Sequence, residues 1–147
     1  MANDVFGPVG TRLTQAVLTG DFKLYRSVMR LPLRIEPLGG QPYELHTDTS
    51  LQQDFELYHD VIALNDVNDI FRENIVHNQL ADDLIEVTCV THILHDTAPV
   101  VEPFNTLFLL RPTEDSWGIS MIRSSIGHIN WTLARSRISD DGRFTDD

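Results

Sequence analysis

One cysteine, Cys89, means that no disulfide can form within the chain, and nothing in the composition calls for an oxidising compartment. Lysine is almost as scarce, since Lys23 stands alone and 11 basic residues face 22 acidic ones, for a net charge of −11. A surface that displaces counterions from phosphates needs clustered Lys and Arg, so binding to nucleic acid or to an anionic membrane is not expected. No apolar run approaches the ~18 residues of a membrane span. Met1 to Gly10 carries neither a basic n-region nor an apolar core, which argues against a secretory signal and makes the cytoplasm the expected location. There is no Gly-x-Ser-x-Gly, phosphate loop, dinucleotide fingerprint or Cys-x-x-Cys, so no cofactor is expected. His92-x-x-His95 falls on a strand pattern, where residues three apart face opposite ways, and no metal site is expected either.

What is present is a sequence of periods. Val9, Leu13, Ala16 and Val17 form one helical stripe, with Pro8 at an early position. Gly20 stops that helix and Asp21 can cap a second, carrying Phe22, Tyr25, Val28 and Met29, before Pro32 blocks continuation. Leu33 to Pro37 and Tyr43 to Thr47 read as a hairpin around Gly39-Gly40. Thr49 with Gln52, or Ser50 with Gln53, offers a capping box for a third helix. Its apolar positions Leu51, Phe55, Tyr58 and Ile62 are flanked by Leu57, Val61 and Leu64, a face wide enough to predict a helix covered on two sides.

Four alternating patterns follow, near 70–80, 84–95, 103–111 and 117–126, separated by short polar turns that predict antiparallel neighbours. The expected fold class is therefore α+β, a curved antiparallel sheet packed on three N-terminal helices. A single domain over 1–131 is expected, with 132–147 as a polar C-terminal tail.

Particular residues carry a resemblance. Leu18-Thr19-Gly20-Asp21-Phe22 with Tyr25 resembles the joint between the first two helices of the nuclear-transport-factor-2-like superfamily, whose fold is also called cystatin-like. Ile75-Val76-His77-Asn78 with Ile85-Glu86-Val87 resembles its paired strands containing Val-x-Asn. Ser116-Trp117-Gly118-Ile119 with Arg123 resembles the start of its final strand. The SnoaL-like branch, of polyketide-cyclase and dehydratase type, is the most similar. The resemblance implies a cone-shaped α+β barrel with a central pocket and dimerisation through the outer face of the sheet, but no single activity. Several enzymatic branches carry Arg-His just before the Val-x-Asn element. The matching positions here are Glu73 and Asn74, a departure from a dehydratase-type histidine.

Strict alternation sorts residues by face. It puts Ile85, Val87, Cys89, Thr91 and Ile93 together, Trp117, Ile119, Met121 and Arg123 together, and Phe71, Glu73, Ile75 and His77 together. His77 can serve as a general acid or base, or pack in the sheet with one satisfied hydrogen bond. Arg123, beside Met121, can hold a carboxylate or enolate, or pair with a structural acid. Tyr25 and Tyr58 can donate to a developing oxyanion, or be core aromatics with hydroxyls at the rim. Asp54, one turn before Tyr58, can form a carboxylate–phenol pair with it or be a solvated helix acid. Apolar residues on both faces of the last two strands call for a second cover, for which another subunit is the simplest choice.

Two functions follow as expectations. One is a small-molecule-binding cone that moves a proton on a cyclic or carbonyl substrate, as an isomerase, dehydratase or cyclase does. His77 and Asp54 would be its acid/base groups, and Tyr25, Tyr58, Met121 and Arg123 would hold a small apolar or aromatic ligand. The other is a non-catalytic carrier or dimerising scaffold of the same fold. A cavity with converging polar groups favours the first, and a plugged interior the second.

Overall fold

A computed structural model describes residues 5–37 and 41–124. The expected tail, 132–147, lies outside the described residues. Helix α1 spans Phe6–Thr19 and ends at Gly20, whose φ of 75° is the left-handed conformation that costs glycine least. A Cβ there would also stand 2.8 Å from Nε2 of His59, a side chain whose Nδ1 lies 2.7 Å from the Val17 carbonyl and ties the third helix to the first. Asp21 caps α2 (Phe22–Ser27) by accepting from the Leu24 amide, as the sequence predicts.

Helix α3 (Asp48–Leu64) starts two residues earlier than its capping pattern suggests. Thr47 and Ser50 form the box, and neither the Thr49 nor the Ser50 alternative is used. The expectation of two-sided cover fails as well. Leu51, Phe55 and Ile62 are buried, whereas Leu64 is 82% exposed. Polar residues fill most of the far face, so α3 packs on one side only.

The strands are β1 (Met29–Pro37), β2 (Tyr43–Leu45), β3 (Asp69–Ala81), β4 (Leu84–His95), the two-residue β5 (Ala98–Pro99), β6 (Phe104–Pro112) and β7 (Trp117–Ser124). They form one curved, unclosed sheet in the order β2-β1-β7-β6-β4-β3, with β5 added beside β4. The predicted hairpin is present, pairing Leu33 with Leu45 and Ile35 with Tyr43. Strand β1 begins at Met29, four residues before the predicted start, where the second helix pattern was expected to continue. One junction departs from an all-antiparallel sheet: β1 runs parallel to β7.

Two bulges reset the faces of the sheet. In β3, Glu73 opposes Val90 and Val76 opposes Thr88, so Asn74 and Ile75 together face Cys89 alone. Asn74 takes φ 56°, a left-handed conformation that asparagine tolerates. In β7, Met121 opposes Leu109 and Ile119 opposes Leu110, which leaves Ser120 as the extra residue. Each insertion turns the following residues to the opposite face. His77 therefore does not share a face with Phe71 and Glu73, and Met121 and Arg123 do not share one with Ile119.

The concave side of the sheet meets the helices in one apolar core that includes Phe6, Val17, Leu33, Phe55, Val87, Phe108, Leu110 and Ile119. Each such side chain contributes about 1.5–3 kcal/mol by leaving water. An aromatic cluster locks α2 to α3, with the Tyr25 and Phe55 rings 4.5 Å apart and Phe22 5.8 Å from Phe55. No helix among the described residues is long and apolar enough to cross a membrane.

Candidate functional site

Between the helices and the concave face lies a narrow cavity of about 90 Å³. Leu13, Val17, Ile35, Ile70, Phe104, Phe108 and Ile122 give it apolar walls. Tyr25, Asp54, Tyr58, Arg72, Thr91, Thr106 and Ser124 supply polar groups. A wider surface hollow shares Glu36, Pro37, Thr106 and Ser124 with it, so the two adjoin at that end.

Asp54 is only 2% exposed, although it sits on a helix whose other carboxylates face solvent. The Tyr43 hydroxyl donates to its Oδ1 at 3.0 Å, a bond between α3 and β2 that offsets part of the cost of burying the carboxylate. The same carboxylate helps hold the phenols protonated. Burial, and then the negative charge of Asp54, push Tyr25 and Tyr43 well above the usual tyrosine value of 10.0. Burial pushes Tyr58 up to about 12, partly opposed by the nearby Arg72 cation. Near neutral pH all three phenols remain hydrogen-bond donors.

Arg72 sits across the cavity, on the β3 segment before the bulge. Its Nη1 donates to Thr14 Oγ1 at 2.6 Å and to the Gly10 carbonyl at 3.3 Å, and its guanidinium carbon lies 5.9 Å from the centroids of both Phe6 and Phe108. Its Nε is buried without a hydrogen-bond partner. Burial draws the group below its usual 12.5, although an arginine remains charged. On β4 and β6 the Thr91 and Thr106 hydroxyls bond to each other at 2.9 Å.

Of the six residues singled out from sequence, Tyr25, Asp54 and Tyr58 line this cavity together. The other three do not line it. His77 lies beyond the β3 bulge, where its Nε2 accepts the Phe6 amide proton at 3.2 Å. Helix α1 has no side-chain cap of its own, so this imidazole supplies the acceptor that its first turn lacks. Met121 is buried on the opposite face of β7. Arg123 is 57% exposed and takes the structural alternative, pairing with Glu36 at 2.8 Å. Arginines 34 and 123 together hold the Glu36 carboxyl below its ordinary value, the hydrogen bond from Arg34 weighing most.

Sequence reasoning missed Tyr43 and Arg72. Strict alternation from His77 back through Ile75 puts Glu73 inward and Arg72 outward. The bulge adds one residue, so Arg72 faces the cavity and Glu73 does not. The available signal was Asn74 itself, a residue suited to the left-handed conformation inside a strand pattern. Glu73 points outward and pairs with His92 at 2.7 Å.

Solved structures align with the chain over most of its length. One is a candidate dehydratase of the NTF2-like family from Streptomyces avermitilis, at TM-score 0.65 and 17% identity, covering 84% of this chain and 94% of that one. Another is a candidate ketosteroid isomerase from Shewanella frigidimarina, at TM-score 0.65 and 14% identity, covering 84% and 96%. A third, from Novosphingobium aromaticivorans, is an NTF2-like protein with a cystatin-like fold, at TM-score 0.63 and 9% identity, covering 90% and 85%. This is the NTF2-like fold. At these identities the likeness is one of fold alone. No protein-family model matches the sequence, and no curated protein matches it.

Proposed function

We propose that this NTF2-like protein binds a small cyclic or carbonyl compound in its cavity and moves a proton on it without a cofactor, as an isomerase, dehydratase or cyclase does. The observation that carries the reading is Asp54, a carboxylate 2% exposed in a cavity that it shares with Tyr25 and Tyr58. In this reading Asp54 takes a proton from the carbon beside a carbonyl, while a protonated phenol donates to the oxygen as it becomes an enolate. The proton then returns to a different carbon in an isomerisation. In a dehydration, a neighbouring hydroxyl leaves as water instead. His77, Met121 and Arg123 have no part in this chemistry, and Arg72 replaces Arg123 as the cavity's cation. Dehydratase and isomerase descriptions among the fold neighbours agree with the reaction class.

Exchange of solvent deuterium into a panel of enolisable ketones and hydroxy-aromatics tests the proposal. Asp54→Asn keeps the shape of the side chain and should lower exchange by about 10²–10⁴-fold. Equal rates in the variant and the unsubstituted protein would remove Asp54 from the mechanism.

The narrowness of the cavity favours a second reading, a carrier or dimerising scaffold. Both readings include a homodimer through the outer sheet face, where Leu107 and Leu109 lie and where the edge strand β3 exposes Phe71 and Val76. Sedimentation equilibrium should report a dimer, and a Val76→Glu change should shift it toward monomer. A monomer at every concentration in the unsubstituted protein ends the dimer proposal. The single buried thiol, Cys89, is compatible with a cytoplasmic setting.

A further inference from the structure

Arg72 presents a charge problem that its protein contacts leave unsolved. Its neighbours are a carbonyl, a hydroxyl and two aromatic faces, and among the described residues no carboxylate pairs with it. Removing a cation from water is costly unless an anion or a full set of acceptors meets it. Here Nε is sealed from solvent without an acceptor, and no hydrogen bond joins Nη2 to any described residue. The acids that line the cavity are committed elsewhere. Asp54 accepts from Tyr43, and Glu36 is matched by Arg34 and Arg123. Among the cavity-lining residues, Arg72 is thus a cation without a counterion, with Ile70, Phe108 and Leu13 as apolar walls beside it.

We infer that the ligand supplies the missing charge: the cavity takes a small monocarboxylate with an apolar body, its carboxylate received by Arg72. The inference rests on the reading of this cavity as a substrate site, and it narrows the substrate to an acid. Arg72 is then the binding residue that fixes the ligand's orientation, directing the uncharged end toward Asp54 and the phenols. A volume of about 90 Å³ limits the acid to a short chain or, with some give in the walls, a single ring.

Calorimetric titration of the full chain with benzoate and acetoacetate, each against its neutral amide, tests the charge requirement. The acids should bind roughly 10- to 100-fold more tightly than the amides, the range expected of a charge-assisted pair. Arg72→Gln should abolish that difference by bringing acid affinity down to that of the amide. Equal binding of acid and amide, an unaltered acid affinity in Arg72→Gln, or no saturable binding of either acid would each overturn the inference. If Arg72→Gln does not fold, the Nε–H resonance of Arg72 in the unsubstituted protein gives the readout. It should move with benzoate and stay still with benzamide, and a resonance unmoved by benzoate refutes the proposal. Tight acid binding without deuterium exchange leaves this inference standing while the proton-transfer reading fails. Asp54-dependent exchange with equal binding of acid and amide gives the opposite result.

Discussion

Replacing His77 by alanine removes the acceptor that the Phe6 amide meets at the start of α1, a helix with no acidic residue in its first turn. Loss of a cap costs about 1 kcal/mol, so His77→Ala should lower the urea midpoint by about 0.3–1 M at the usual denaturant sensitivity of a small domain. Deuterium exchange by the same variant should be unchanged, because the imidazole does not line the cavity. A large loss of exchange with normal stability would reverse the assignment. Asp54 presents the opposite case at the same scale. Its sequence context is that of an ordinary helix acid, and its burial comes from Tyr43, 11 positions earlier on a different element. Residue type identified the carboxylate and both helical phenols, but the partner that makes Asp54 unusual depends on tertiary packing.

Among the elements, helices were the most legible. Gly20 and Asp21 act through local backbone chemistry, and the sequence displays them directly. Strand positions were recovered to within a few residues, yet two inserted residues, Asn74 and Ser120, split the face assignments of β3 and β7 while leaving those of β4 intact. Alternation has a period of two, so one extra residue moves Glu73 or Arg123 to the wrong side while the strand itself remains correctly placed. The width of the apolar stripe on α3 also misled, since Leu64 meets solvent. The Asn74 bulge can be tested directly. Asn74→Gly should be tolerated, because glycine reaches φ 56° without strain. Asn74→Val should destabilise by about 1–3 kcal/mol, because a β-branched residue resists that conformation. Urea unfolding of the two variants should separate them, and equal midpoints would mean that β3 pairs evenly.

At the scale of the whole molecule, the phenols around Asp54 tie stability to alkaline pH. Below pH 10 the folded and unfolded chains both hold the Tyr58 proton, and its contribution is fully present. Between pH 10 and about 12 the unfolded chain loses that proton first, so stability falls by roughly 1.4 kcal/mol per pH unit from this group. Tyr25 and Tyr43, both raised well above 10.0, act in the same direction. Denaturant unfolding across this window should show the decline, and Tyr58→Phe should flatten its first part. A stability that is level from pH 10 to 12 would mean that the Tyr58 hydroxyl is open to water.

The parallel seam between β1 and β7 has a consequence for how the chain acquires its shape. Met29 aligns with Ile119 and Pro37 with Ser124, so this seam joins a strand synthesised early to the one synthesised last among those described. While the polypeptide is leaving the ribosome, the β1–β2 hairpin must wait with one long edge unpaired. Only when residue 124 has emerged can that edge be closed, and such distant pairing slows folding. The nascent chain thus passes through an interval in which the free edge of β1 from Arg34 to Pro37 is open to competing partners, a vulnerability that the finished molecule no longer displays.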